Sequence, residues 1–156
     1  MMNEKKGGIK IVASNRKALH NYHIEETVEA GLVLLGTEVK SLRAGNVQMA
    51  DAYASPRRDG LYLDKMHISE YSHGNLQNHE PTRPRKLLLH KKEMERLMAK
   101  ALEKGYTILP LKIYFKGHYA KVELGLGRGK KMYDKRETLK AKAQERDTDR
   151  QFRIKR

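Results

Sequence analysis

From Tyr22 to Leu34 apolar side chains fall on every second position, at Tyr22, Ile24, Val28, Ala30, Leu32 and Leu34, with Glu26 the one interruption. In an extended chain a period of two sends alternate side chains to opposite faces, so the segment is predicted to be one long strand with a buried and a solvated face. Gly31 marks a candidate bend or bulge in it. Partners follow in the same pattern. Val47, Met49 and Tyr53 alternate, the Arg58-Asp59-Gly60 turn reverses the chain, and Leu61, Leu63 and onward to Ile68 return it as a hairpin. Leu109, Leu111, Ile113 and Phe115 alternate up to Lys116-Gly117, and Ala120, Val122, Leu124 and Leu126 alternate after it. Ile9, Ile11 and Ala13 supply one more short strand.

Two helices interrupt the strands. In Thr37 to Gly45, Thr37 is placed to cap a short helix with Val39 and Leu42 turned inward and Gly45 ending it. In Lys91 to Gly105, Met94, Leu97, Met98, Ala101 and Leu102 form a single apolar stripe, the methionines serving as core filling. The predicted fold class is mainly β with short helices. Six antiparallel strands close into a small barrel, because closure removes the exposed edges, and the oligonucleotide-binding (OB) fold is the obvious relative. Such a fold does not by itself assign a function.

Residues 128–156 depart from that pattern. They carry 12 Lys and Arg against 5 Asp and Glu, half of the chain's net charge of +14, and only Met132, Tyr133, Leu139, Phe152 and Ile154 as sizeable apolar groups. Too little surface is buried there to offset the entropy of ordering. The division predicted is a β-barrel domain over 1–127 and a basic arm over 128–156 that is disordered in isolation and orders on a polyanion.

With no Cys there is neither a disulfide framework nor a thiolate metal site. No stretch approaches the ~20 apolar residues of a membrane helix, so a soluble, cytoplasmic chain without a membrane partner is expected. A sequence pI near 9.9 asks for a polyanion, nucleic acid first. Cations punctuate the strands to match: Asn15-Arg16-Lys17 before the long strand, Lys40 and Arg43 three apart on the short helix, and Arg83, Arg85 and Lys86 before Leu87-Leu88-Leu89. Pro81 and Pro84 hold the last group extended, which predicts guanidinium forks presented outward for bidentate phosphate contact.

Catalytic patterns are weaker. Gly125 to Lys131, GLGRGKK, lacks the spacing and the Ser or Thr of a phosphate-cradling loop, and its glycines read as a flexible exit from the barrel. His20 with His23, and His73 with His79, come without the Cys or carboxylates of a closed zinc site. Asp147 and Asp149 sit in the arm without the rigid shell that a two-metal nuclease requires. No enzyme activity, cofactor or metal is predicted.

Three runs carry more information: NRKALHNYHIEETVEAGLVLLGTEVKSLRAGN (Asn15 to Asn46), PTRPRKLLLHKKE (Pro81 to Glu93) and GLGRGKKMYDKRE (Gly125 to Glu137). In that order they resemble the signature segments of the small protein B family, the tmRNA (SsrA)-binding proteins of bacterial trans-translation. The resemblance spans essentially the whole chain and is weakest beyond Glu137. It implies an antiparallel barrel related to the OB-fold that binds the tRNA-like domain of tmRNA as a monomer. With elongation factor Tu and GTP, such a protein brings alanyl-tmRNA into stalled ribosomes and stands in for the missing anticodon half.

Carried over by motif, Asn15, Glu29 and Leu88 match family positions tied to tmRNA binding, with Arg16, Lys17, Lys40, Arg43, Arg83, Arg85 and Lys86 as basic neighbours. Glu29 suits hydrogen bonds from base edges or the orienting of a cation, not phosphate contact. Leu88 acts through packing, either against RNA or as a core leucine behind the basic surface. The arm of family members enters the decoding centre and the empty mRNA channel of the small ribosomal subunit as a helix. Here Lys130, Lys131, Lys135 and Arg136, with Asp134 among them, face rRNA phosphates, Tyr133 stacks on a splayed base, and Ile154 with Lys155 anchors the end. A generic single-strand-binding barrel and a ribosomal structural protein are the competing readings of the same charge and fold.

Overall fold

The structure, a computed structural model, describes residues 8–72 and 78–130. In chain order its elements are β1 (Ile9–Ser14), α1 (Arg16–Asn21), β2 (Tyr22–Leu32), α2 (Gly36–Arg43), β3 (Val47–Gln48), β4 (Tyr53–Arg57) and β5 (Gly60–Asp64). There follow β6 (His67–Ile68), β7 (Arg85–Leu88), α3 (Lys91–Ala101), β8 (Tyr106–Lys116) and β9 (Tyr119–Gly129). Pairing runs β8-β4-β5-β7-β2-β9, all antiparallel, and β9 pairs again with β8, so six strands form a closed ring. β1 lies outside the ring. It shares one edge of β8 with β4, taking Lys112 to Lys116 while β4 meets Ile108.

The expected long strand, β2, and the β8–β9 hairpin are present, but the ring is not made of the six strands that periodicity marks. β7 completes it in place of the Ile9 strand. The segment starting at Val47 divides into β3 and β4 at a tight turn, where the Ala52 N–H donates to the Met49 carbonyl. The segment after Leu61 divides into β5 and β6 at Lys65, whose φ of 61° reverses the local backbone. The bulge in β2 falls between Ile24 and Glu26, not at Gly31.

Inside the ring pack Val28, Ala30, Leu32, Leu61, Leu63, Leu87, Ile108, Ile113, Phe115, Val122, Leu124 and Leu126, joined by Leu42 of α2 and Leu97 of α3. Each large aliphatic side chain so buried is worth about 1.5–3 kcal/mol over exposure. α3 ends at Ala101, and Leu102, expected on its apolar stripe, is 83% exposed. α2 begins two residues earlier than expected. Leu35 is its N-cap, Glu38 Oε1 accepts the Leu35 N–H at 2.8 Å, and Thr37 lies within the helix with its hydroxyl 2.9 Å from His79 Nδ1.

A second, smaller apolar cluster lies on the outside of the ring. Ala18 of α1 packs with Leu109 and Leu111 of β8, flanked by Tyr22 and Ile24. Gly125 and Gly127 of β9 form its floor. A Cβ at Gly125 would stand 2.7 Å from Leu111 Cδ1, and one at Gly127 would stand 3.1 Å from Tyr22 Cβ. These glycines are therefore strand residues needed for close approach, not a flexible exit, and β9 continues through Arg128 to Gly129 opposite Tyr22.

Candidate nucleic-acid interface

Asn15 sits where β1 leaves β8. Its backbone N–H donates to Leu111 O at 2.7 Å, its amide donates to Pro110 O at 2.9 Å and Met49 O at 3.2 Å, and its Oδ1 accepts the Ala18 N–H that opens α1. At 4% exposure every hydrogen-bonding group of this side chain is spent internally. Asn15 thus caps the helix and bolts it to the sheet, which leaves Arg16 and Lys17 exposed on the first turn. α1 has no apolar stripe of helical length, so periodicity alone does not reveal it.

The register then orders one outer face. Ser14, Lys112, Glu123 and Glu29 form a row across β1, β8, β9 and β2, and Ile11, Tyr114, Lys121, Gly31 and Leu88 form the next, ending on β7. At ~4.8 Å per strand, Ser14 and Glu29 lie about 14 Å apart. Glu29 Oε2 accepts the Tyr114 hydroxyl at 2.5 Å, and Oε1 stands 3.6 Å from Lys116 Nζ. The Tyr114 hydrogen bond holds the Glu29 carboxyl below the usual range, with partial burial opposing and Lys116 and Lys121 assisting. Burial first, and then Glu29, push the Tyr114 hydroxyl far above an ordinary phenol. Glu29 is thereby a fixed anion with unspent acceptor capacity.

Leu88 is 54% exposed, which excludes the core-leucine reading. Opposite it, Gly31 has no side chain, and a Cβ there would touch Leu88 Cβ at 3.4 Å. Glu29, Gly31, Leu88, His90, Glu93 and Lys121 consequently line one open cleft of about 310 Å³. Glu29 and Leu88 are brought together, with Lys121 as a cation that the sequence reading missed.

The Arg83 to Lys86 group is split, and presentation of all its cations is not what the fold does. Arg85 is 0% exposed; Nε donates to Glu38 Oε2 at 2.6 Å, Nη1 to Met66 O at 2.5 Å and Nη2 to Pro81 O at 2.9 Å. Arg83 Nη2 reaches the other Glu38 oxygen at 2.5 Å while the side chain stays 31% exposed. Burial raises the Glu38 carboxyl, but hydrogen bonds from Arg83, the Leu35 N–H and Arg85 outweigh it and leave the group below the usual carboxylate range. The signal for this was present in the sequence. A period of two over Arg85-Lys86-Leu87-Leu88 puts Arg85 with Leu87 inside, and Lys86 with Leu88 outside.

Lys86 faces outward opposite Tyr62, with Asp59 at 3.9 Å. Lys40 and Arg43 project from α2 near separate aromatic faces, Lys40 Nζ 5.4 Å from the Tyr71 centroid and the Arg43 guanidinium 4.2 Å from that of Phe115. Lys130 follows β9 directly, its N–H donating to Asn21 O at 2.9 Å. Lys131, Tyr133, Asp134, Lys135, Arg136, Ile154 and Lys155 lie outside the described residues, as does His73. His79 is buried, its ring held between Thr37 and Ile68 O. Among the described residues no cluster of three or more His, Cys, Asp or Glu is placed to hold a metal, and no helix is long and apolar enough to cross a membrane.

A closed ring of antiparallel strands, with a short helix clamped to its outer wall and fixed charges of both signs along that wall, defines the class: a small, strongly basic β-ring protein. Comparison with known proteins narrows this. The family model described as SmpB protein matches residues 12–154, and the chain belongs to that family. It is 56% identical over 144 residues to an SsrA-binding protein of Carboxydothermus hydrogenoformans, covering 92% of this chain and 97% of the relative. Identity to the SsrA-binding protein of Bacillus subtilis is 53% over 148 residues, covering 95% of each chain. Among solved structures, a chain from "tmRNA-SmpB: a journey to the center of the bacterial ribosome" superposes with a TM-score of 0.67 at 52% identity, over 79% of this chain and 86% of that one.

Proposed function

We propose that this protein binds the tRNA-like domain of tmRNA through the outer face of β7, β2, β9 and β8, and helps deliver it to stalled ribosomes for trans-translation. The observation that carries the reading is the meeting of Glu29 and Leu88, from distant motifs, in one open cleft beside Lys121. A fixed carboxylate accepts base amino groups, an exposed leucine packs on sugar or base, and flanking cations hold the backbone. Arg16, Lys17 and Lys86 serve as phosphate contacts. Asn15, Arg83 and Arg85 act by holding that surface in place, and Lys40 and Arg43 extend the cationic field from α2.

In this reading the ring is a barrel of the OB-related kind, the chain is a cytoplasmic monomer, and elongation factor Tu with GTP shares the delivery complex. The basic arm is disordered alone and becomes helical in the decoding centre and mRNA channel of the small subunit, through Lys130, Lys131, Tyr133, Asp134, Lys135, Arg136, Ile154 and Lys155. Its family resemblance and its charge support that part. The test compares affinity for tmRNA, for an ordinary tRNA and for an unstructured oligonucleotide, each at two salt concentrations. Selective retention of tmRNA is expected; equal affinities at matched salt would replace this reading with a generic single-strand binder.

A further inference from the structure

The Glu29 cleft has a neighbour on the same face. Further down β8, α1 overhangs Thr107 and leaves a cleft of about 260 Å³. Tyr22, Tyr53, Asn21 and Thr107 line it, and Lys17 and Asp51 face each other there across 3.2 Å. Tyr53 is 36% exposed at the start of β4, a large ring kept out of the core in a chain with 8 Tyr, 2 Phe and no Trp. The side chains of Asn21, Tyr22, Tyr53 and Thr107 make no hydrogen bond among the described residues. Four uncommitted polar groups and an open ring thus converge on one hollow.

Its contents match one kind of guest. An aliphatic peptide would leave those donors and acceptors unpaired, whereas a planar, polar-edged heterocycle uses both the ring face and the polar groups. The Lys17–Asp51 pair, 57% and 78% exposed, is weakly held and opens at little cost, which frees a cation for the phosphate next to such a ring. The cleft and the Glu29 row lie a few residues apart along β8, so one RNA laid on this face covers both.

We propose that this cleft receives one unpaired, unstacked nucleobase of the bound tmRNA domain. Tyr53 supplies the stacking face, Asn21 and Thr107 meet the base edge, and Lys17 turns from Asp51 to the adjoining phosphate. The inference rests on the tmRNA-binding reading above.

The test uses the full chain with the tRNA-like domain of tmRNA. Tyr53→Ala should weaken binding roughly 5- to 100-fold. The slope of log affinity against log salt should not change, because a lost ring releases no counterions. Tyr53→Phe should bind as the native chain does. A photoreactive phenylalanine in place of Tyr53 should crosslink to a single unpaired nucleotide, a readout that does not depend on how well the alanine variant folds. Unaltered binding by a folded Tyr53→Ala, or crosslinks confined to duplex or absent, would overturn the proposal. If the native chain itself fails to prefer tmRNA over tRNA, the binding reading falls; if that preference stands and Tyr53 is indifferent, only the cleft assignment falls.

Discussion

Glu38 is the residue whose loss the fold should feel most. It is fully buried and balances two guanidinium groups while capping α2, so a single carboxylate ties the helix to the strand that presents Lys86 and Leu88. Removing one partner of a buried ion pair leaves the other uncompensated, at a cost of about 3–5 kcal/mol. Glu38→Gln is therefore expected to lower stability by that amount in urea unfolding at neutral pH, and a loss below about 1 kcal/mol would show that Arg85 finds other partners. The same group sets an acid limb. Folding lowers its pKa, so its contribution is complete above the ordinary value of 4.5 and is lost as pH falls through the folded value. Urea midpoints of the native chain should thus decline below pH 4.5, and those of Glu38→Gln should decline less. Lys86 makes the opposite case, with its charge outside and its Asp59 partner exposed. Lys86→Ala should leave the fold unchanged and flatten the salt dependence of tmRNA affinity by about 1 in log–log slope. An unchanged slope would remove Lys86 from the interface. Arg85→Ala should instead act through stability, since its guanidinium never reaches solvent.

At the scale of elements, the sheet was legible wherever apolar residues alternate with polar ones, as in β2, β8 and β9. It was not legible where alternation involves a charged residue facing inward. Arg85 disguised β7, although its neighbours obey a period of two and Leu88 falls on the outer face for that reason. α1 escaped for a different cause: it is six residues long and buries only Ala18 of its own residues, on a surface cleared by glycines. That clearance is open to test. In Gly125→Ala the new methyl would meet Leu111 and Ile24 at 2.7 and 3.1 Å, and Leu111 is itself buried, so overpacking of about 1–3 kcal/mol is expected. Because α1 carries Arg16 and Lys17, the variant should also bind tmRNA more weakly than its residual stability explains. Gly129→Ala, with nothing within 4 Å of the added carbon, provides the contrast and should be neutral in both measurements. Equal defects in the two variants would mean that α1 does not rest on the Gly125 floor.

At the scale of the whole molecule, two charge densities share one chain. The first 127 residues spread 21 Lys and Arg along their length, while residues 128–156 concentrate 12 in a segment with few apolar anchors. Composition makes that division legible; the point of division it leaves open, because Gly-rich strand and Gly-rich linker look alike in sequence. The pairing of β9 through Gly129, and the tether from Lys130 to Asn21, carry the sheet's order past the apolar alternation. Ending the chain after Lys130 should therefore spare the ring, whereas ending it at Gly127 should strip part of the ladder that supports α1. With the ring intact, tmRNA affinity and its salt slope should stay close to those of the full chain, because every contact assigned to tmRNA lies before the cut. Tagging of stalled chains should be abolished, because the cut removes every group assigned to the ribosome except Lys130. Within the full chain, Tyr133→Phe should retain tagging and Tyr133→Ala lower it, since stacking needs the ring and not the hydroxyl. A truncated chain whose tmRNA affinity and salt slope both collapse would show the arm to be part of the tmRNA site. The outer face of the ring would then be only half of the binding surface.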